Sequence, residues 1–125
     1  VFHLRGSAEQ ETTVEFDLAK GEMIFDRTRS GNISALKRKC PLESESQSQL
    51  TVRIFMDSIS IEVFTDNGRT TMTNNIFSNP ESNELSISTV GGRTRLLCLQ
   101  TFGLKSTVIA WSIAEDSASA YLLVF

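Results

Sequence analysis

The chain is poor in the residues on which many small specialised domains depend: its 125 residues include two Cys, two Pro, one His, one Trp and one Tyr. Two cysteines are too few for a disulfide scaffold. Cys98 lies in the apolar run Leu96 to Leu99 and reads as a buried small hydrophobe, whereas Cys40 precedes Pro41 in an irregular stretch. Spacing alone leaves open whether they pair in an oxidising compartment. The single His3 has no Ser or Cys motif near it in the chain, so no nucleophilic triad is legible. No His/Cys cluster has metal-ligand spacing, and no cofactor is implied. No apolar run approaches the ~20 residues that span a bilayer, so a membrane is not an expected partner. A net charge of -3 lacks the cationic surplus that phosphate binding needs, which argues against nucleic acid. The one basic cluster, Lys37-Arg38-Lys39, reads as a solvated loop. No signal peptide is visible and Val1 is not an initiator Met, so the expectation is a mature product or part of a longer chain.

What is present is an ordinary core-forming composition, 40% hydrophobic and 22% charged. This length suits one domain and is too short for a catalytic barrel or propeller plus an accessory unit. The clearest pattern runs from Val52 to Phe77. Val52, Ile54 and Met56 alternate with Arg53, Phe55 and Asp57, and Ile59, Ile61 and Val63 alternate with Ser60, Glu62 and Phe64, which is the period of strands. Asp66-Asn67-Gly68 supplies a hairpin turn, and Arg69 to Ile76 returns beside the second strand. The reading is a three-stranded antiparallel meander.

The same signals recur on either side. Val1 to Arg5, Thr12 to Asp17 and Glu22 to Asp26 read as strands, the last two joined by a turn at Lys20-Gly21. From Thr28 to Gln49 periodicity fades into the longest expected loop. Beyond the meander, Leu85 and Ile87 mark a strand, Gly91-Gly92 a hairpin turn, and Thr94 to Leu104 the strand that follows. Short strands punctuated by turns predict an all-β fold, a two-sheet antiparallel β-sandwich of jelly-roll or lectin-like kind. The apolar stretches Val108 to Trp111 and Tyr121 to Phe125 follow. An exposed edge of the latter composition would invite aggregation, so it should be paired or covered. The triplet Asn32-Ile33-Ser34 is a glycosylation sequon of little weight.

The meander also resembles the C-terminal β-sandwich of glycoside hydrolase family 32, the invertases, levanases, inulinases and fructan exohydrolases. There a strand ending in Asp is followed by Arg-Ser-Ser-Val-Glu-Val-Phe, an Asn-Asp-Gly type turn and a strand ending in Thr-x-x-Ile-Phe. Asp57, Ile61-Glu62-Val63-Phe64, Gly68, Met72-Thr73 and Ile76-Phe77 match in order. Ser58, Ile59 and the reversed pair Asp66-Asn67 depart from the pattern. Phe25-Asp26-Arg27-Thr28-Arg29-Ser30-Gly31 is similar to the family's Asp-Arg-Ser-Arg-Ser-Gly segment, and Phe102 to Ser106 to its last strand. The resemblance implies a sandwich over 1–106 that lacks its first strand, with 107–125 as an extension. Two expectations stand for its end: Tyr121 to Phe125 adds the outer strand that the start lacks, or the tail packs against a partner surface.

The family's catalytic carboxylates come from an N-terminal propeller, in motifs of the Asn-Asp-Pro-Asn, Arg-Asp-Pro and Glu-Cys kinds. None of these occurs here, so this chain is not expected to be catalytic by itself. The parent is expected to be a glycoside hydrolase of β-fructofuranosidase type, secreted or at the cell surface. The first expectation is a non-catalytic module that supports the catalytic propeller. The second is an autonomous fructan-binding module, because some of these sandwiches resemble carbohydrate-binding module family 66, which recognises terminal fructose. Sugar hydroxyls are held by planar bidentate side chains, which makes Glu62, Asp57, Arg27, Asp66 and Arg69 the candidate ligand-binding residues. Arg29 joins them in the matched segment, and Trp111 is a candidate stacking platform. A homo-oligomer is left open. The support reading predicts an apolar face that is exposed in the isolated domain, and the binding reading predicts a polar pocket.

Overall fold

The computed structural model describes residues 1–31, 35–44, 46, 49–104 and, as backbone, 118–124. Among the described residues, ten strands and one short 3-10 turn make up the regular structure. They are β1 (Phe2–Gly6), β2 (Glu11–Asp17), β3 (Glu22–Arg29), β4 (Lys37–Pro41), β5 (Thr51–Met56), β6 (Ser60–Thr65), β7 (Thr70–Asn75), β8 (Glu84–Ile87), β9 (Cys98–Leu104) and β10 (Ala118–Val124). A first sheet has the order β4-β3-β2-β1-β8 and a second has the order β7-β6-β5-β10-β9. Every pairing is antiparallel, as the expected β-sandwich requires.

The core lies where the inward faces of the two sheets meet. Phe2, Leu4, Val14, Met23 and Phe25 come from the first sheet, and Val52, Ile54, Met56, Ile61, Val63 and Met72 from the second. Period-two alternation explains the selection, because the register pairs Ile54 with Val63 and Val63 with Met72 on one face. Each fully buried side chain of this size contributes ~1.5–3 kcal/mol relative to exposure, and together they oppose the ordering cost of the backbone.

The β6–β7 hairpin is wider than a two-residue turn. Thr65 pairs with Thr70, and Asp66, Asn67 and Gly68 between them have φ of 41°, 59° and 90°. Asp, Asn and Gly are the residues that tolerate this left-handed conformation best.

Several expectations need correction. Gly91-Gly92 does not close a hairpin, because β8 and β9 belong to different sheets, and the strand expected from Thr94 begins at Cys98. The stretch expected as one long loop contains β4, whose residues are largely exposed because it is the outer strand of its sheet. Its lysines pair with acids on β3, Lys37 with Asp26 at 3.3 Å and Lys39 with Glu22 at 3.2 Å, and charge of this kind protects an open edge. Ile59 was expected inward but is 60% exposed. It sits in the β5–β6 turn closed by the Asp57 amide on the Ser60 carbonyl, where strand alternation is suspended. Cys98 is only half-buried, because β9 is the outer strand of its sheet.

Both cysteines are free. The β4 end meets β7, where the Glu43 amide donates to Thr70 Oγ1 at 2.8 Å, whereas β9 lies at the far margin of the second sheet. Four strand spacings of ~4.8 Å separate those margins, far beyond disulfide reach.

The segment 118–124 forms β10, hydrogen-bonded to β5 on one side and β9 on the other. This is an interior place in the second sheet and not an outer one. Trp111 and the apolar stretch that ends at it lie outside the described residues.

Candidate functional site

The five candidate residues do not converge on one pocket. Asp66 is buried at the β6–β7 turn, where its carboxylate accepts the Thr51 amide at 2.9 Å and the Ser44 hydroxyl at 2.8 Å. Those bonds tie the turn to the start of β5 and to the segment after β4. Arg69 is exposed beside it, and its amide closes the turn on the Thr65 carbonyl at 2.9 Å. Asp57 lies at the opposite end of β6, roughly 20 Å away at ~3.3 Å per strand residue. Its carboxylate accepts the amide of Ser58 at 2.6 Å, a turn-stabilising bond.

Arg27 belongs to the first sheet, yet its guanidinium donates to the Asn75 carbonyl of β7 at 2.5 Å. It therefore joins the two sheets at one end of the sandwich. Nearby, the buried hydroxyls of Ser30 and Ser78 meet at 3.2 Å. Arg29 is held by Glu11 at 2.6 Å. The matched segment Phe25 to Gly31 thus has architectural work in this chain: a buried Phe, a sheet-joining Arg and a glycine pressed against the Phe77 carbonyl.

Glu62 is different, because it stands on the outward face of β6. Its ladder partners are Phe55 and Thr73. Next to that row the rings of Phe55 and Phe64 pack edge to face, with centroids 5.8 Å apart. A shallow concavity of about 230 Å³ lies alongside, lined by Thr51, Arg53, Phe55, Phe64, Asp66, Asn67 and Gly68. Arg53 and the two Phe residues are members of this surface that ligand-type reasoning passed over. The signal was available, since two Phe residues occupy the polar phase of strands whose other phase fills the core.

The same outward rows continue to β9. Phe55 pairs with Ala120 and Ala120 with Phe102, so Phe102 ends the row that contains Glu62. Phe102 is 51% exposed, and Leu96, Leu99 and Leu104 are exposed with it. No charged residue and no proline occurs from Leu96 to Leu104. A second, larger concavity of about 710 Å³ opens at the β1–β8 end, between Val1, Phe2, the β2–β3 turn and residues 87–97. Among the described residues no group of three His, Cys, Asp or Glu has the arrangement to hold a metal ion.

Ionisation here follows local hydrogen bonding. Burial works against the charge of Asp26, but the Thr28 hydroxyl and amide and the Lys37 ammonium outweigh it and hold the carboxyl below its ordinary range. Lys20 does the same for Asp17 in the β2–β3 turn. Burial pushes the Cys40 thiol up.

Comparison with known proteins agrees with this architecture. The family profile described as glycosyl hydrolases family 32 C terminal matches residues 1–106. The chain is 33% identical over 111 residues to the extracellular exo-inulinase of Aspergillus awamori, covering 83% of this chain and 21% of that protein. It is 31% identical over 109 residues to a levanase of Bacillus sp. (strain L7), covering 83% of this chain and 12% of the levanase. The crystal structure of the Aspergillus awamori exo-inulinase superimposes with a TM-score of 0.68 at 27% identity, over 98% of this chain and 21% of that one. The chain thus spans about a fifth of the exo-inulinase, and the part that matches is the part its family profile calls C-terminal. With a family profile over residues 1–106, the chain belongs to glycoside hydrolase family 32, as a C-terminal domain of that family.

Proposed function

We propose that this domain is the non-catalytic β-sandwich of a fructan- or sucrose-hydrolysing glycosidase and that it supports the catalytic part by docking through β9 and the outward face of the second sheet. The observation that carries the reading is the uncharged outer strand: Phe102 and Leu104 are exposed on the outward phase of β9 and Leu99 on its other phase, and among the described residues β9 is outermost in its sheet with no charge to guard it. Sheet edges of that kind are covered in working proteins. Covering three half-exposed side chains contributes roughly 3 kcal/mol or more, enough to fix the relative position of two tethered domains. The rest of the relatives' length is the natural cover. The parent's substrate would then be a fructose-containing carbohydrate, with its hydrolysis performed outside these 125 residues.

A second reading, direct fructan binding, is favoured by one feature, the Arg53, Phe55 and Phe64 concavity beside Glu62. The two readings use the same face and are mutually testable. Phe102→Asp in the full-length enzyme should lower its melting temperature by several degrees while barely changing that of the isolated domain. Titration calorimetry of the isolated domain with levan and inulin oligosaccharides should give no saturable heat. If the full-length enzyme is indifferent to Phe102→Asp and the isolated domain binds fructan in a Glu62-dependent way, the support reading fails and the binding reading replaces it.

A further inference from the structure

His3 has no partner within reach along the chain, but the sheet brings two to it. Its Nδ1 lies 2.9 Å from Glu11 Oε2, and its Nε2 lies 2.8 Å from Ser88 Oγ. A carboxylate oxygen only accepts, so the neutral ring carries its proton on Nδ1 and leaves Nε2 free to accept the serine hydroxyl. The second carboxylate oxygen of Glu11 is held by Arg29 at 2.6 Å, which keeps the acid in one orientation. Serine, histidine and glutamate thus stand in the order and at the distances of a nucleophile, a base and its orienter. The imidazole and Glu11 side chains are 30% and 28% exposed, so solvent reaches them.

Ser88, though not His3 or Glu11, is also one of the residues lining the 710 Å³ concavity, which is within the size range of small-molecule sites. Apolar walls come from Phe16, Leu18, Val90 and Leu97, and Arg93 and Arg95 supply positive charge. Following Ser88, the amides of Thr89 to Gly92 make no backbone hydrogen bond among the described residues, and Gly91 has φ of 76°. Amides left free in a turn are the groups that can meet a developing oxyanion.

We propose that Ser88, His3 and Glu11 form a second, esterolytic site, distinct from the sugar-hydrolysing function of the family, that cleaves carboxylic esters with an apolar acyl group. Ser88 Oγ adds to the ester carbonyl carbon as its proton passes to His3 Nε2, and the carbonyl electron pair moves onto the oxygen. Collapse breaks the bond to the alcohol, which leaves with the proton from His3. Water then repeats the sequence on the acyl-serine, releasing the acid and restoring Ser88. One ester and one water become one acid and one alcohol, with no other reactant.

The test uses the 125-residue chain with an alkyl fluorophosphonate and with p-nitrophenyl butyrate. The expected result is one phosphonyl adduct, mapped to Ser88 by peptide mass spectrometry, and ester hydrolysis above the buffer rate. Ser88→Ala should abolish both, His3→Gln should lower the rate ~100-fold or more, and Glu11→Gln should lower it less. Ser86→Ala, opposite His3 on the ladder but outside the bonded chain of groups, should leave it unchanged. Circular dichroism of each variant separates loss of chemistry from loss of fold. The wild-type chain remains decisive whatever the variants do: if it takes up no fluorophosphonate at Ser88, or if labelling persists at full rate in folded His3→Gln, the three residues are only a strand tie and the proposal is wrong.

Discussion

Replacing Asp66 with Ala should cost stability and not ligand binding, and a minimum cost can be worked out from two of its bonds. The Thr51 amide at 2.9 Å is half-buried at the start of β5 and loses a charged acceptor, worth ~2 kcal/mol. The Ser44 hydroxyl at 2.8 Å belongs to an exposed residue that water can satisfy, so its loss costs nearer ~1 kcal/mol. Alanine is also less comfortable than aspartate at φ of 41°, which adds a few tenths. The total is about 3 kcal/mol. With an unfolding entropy of ~2.1 cal/mol/K per residue, a chain of 125 residues should lose about 12 °C in Tm. Scanning calorimetry measures this directly, and urea unfolding should show a lower midpoint with an unchanged slope. Asp66→Asn, which keeps one acceptor for the Thr51 amide, should lose roughly half as much. A Tm shift below ~3 °C for the alanine variant would refute the structural role assigned to this carboxylate.

The remaining predictions concern the end of β3. Gly31→Ala should be among the most damaging single changes, because a Cβ there would lie 2.1 Å from the Phe77 carbonyl oxygen at a φ of 97°. A loss of more than ~3 kcal/mol in chemical denaturation is expected, against ~1 kcal/mol for Gly68→Ala, where φ is 90° but the space is open. Equal losses at the two sites would mean that backbone conformation and not the close approach is limiting. For Asp26, the folded pKa lies below the unfolded one, so its stabilisation is complete above the ordinary aspartate pKa of ~4 and disappears as pH falls through the depressed value. Thermal melts between pH 5 and 2 should therefore converge for wild type and Asp26→Asn, from a difference on the order of 1–2 °C at the upper end, small because the group is well solvated. Parallel curves would contradict the linkage.

The all-β class and the central meander were legible in the chain because strand alternation is local: Val52, Ile54, Met56, Ile61 and Val63 are each inward in the fold as their spacing implies. The family resemblance was legible for a related reason, since its motif residues are consecutive along β6 and the following turn. Ile59 misled because a turn interrupts the period without changing composition. β4 was hidden because an outer strand has no buried phase to display, and its Lys-Arg-Lys run looks like a loop until Asp26 and Glu22 are seen opposite.

The roles of the candidate residues depended on contacts across dozens of positions. An aspartate beside a Gly turn has the same local sequence whether it faces solvent or, like Asp66, accepts the amide of Thr51. Arg27 reaches Asn75 over 48 positions, and Ser88 reaches His3 over 85. By itself the sequence determined strand phase, turn chemistry and family, because each is encoded in neighbouring residues. Sheet order, the burial of Asp66, the outer position of β9 among the described strands and the Ser88, His3 and Glu11 alignment were decided only in the tertiary structure, because antiparallel pairing joins residues according to strand order in space and not distance along the chain.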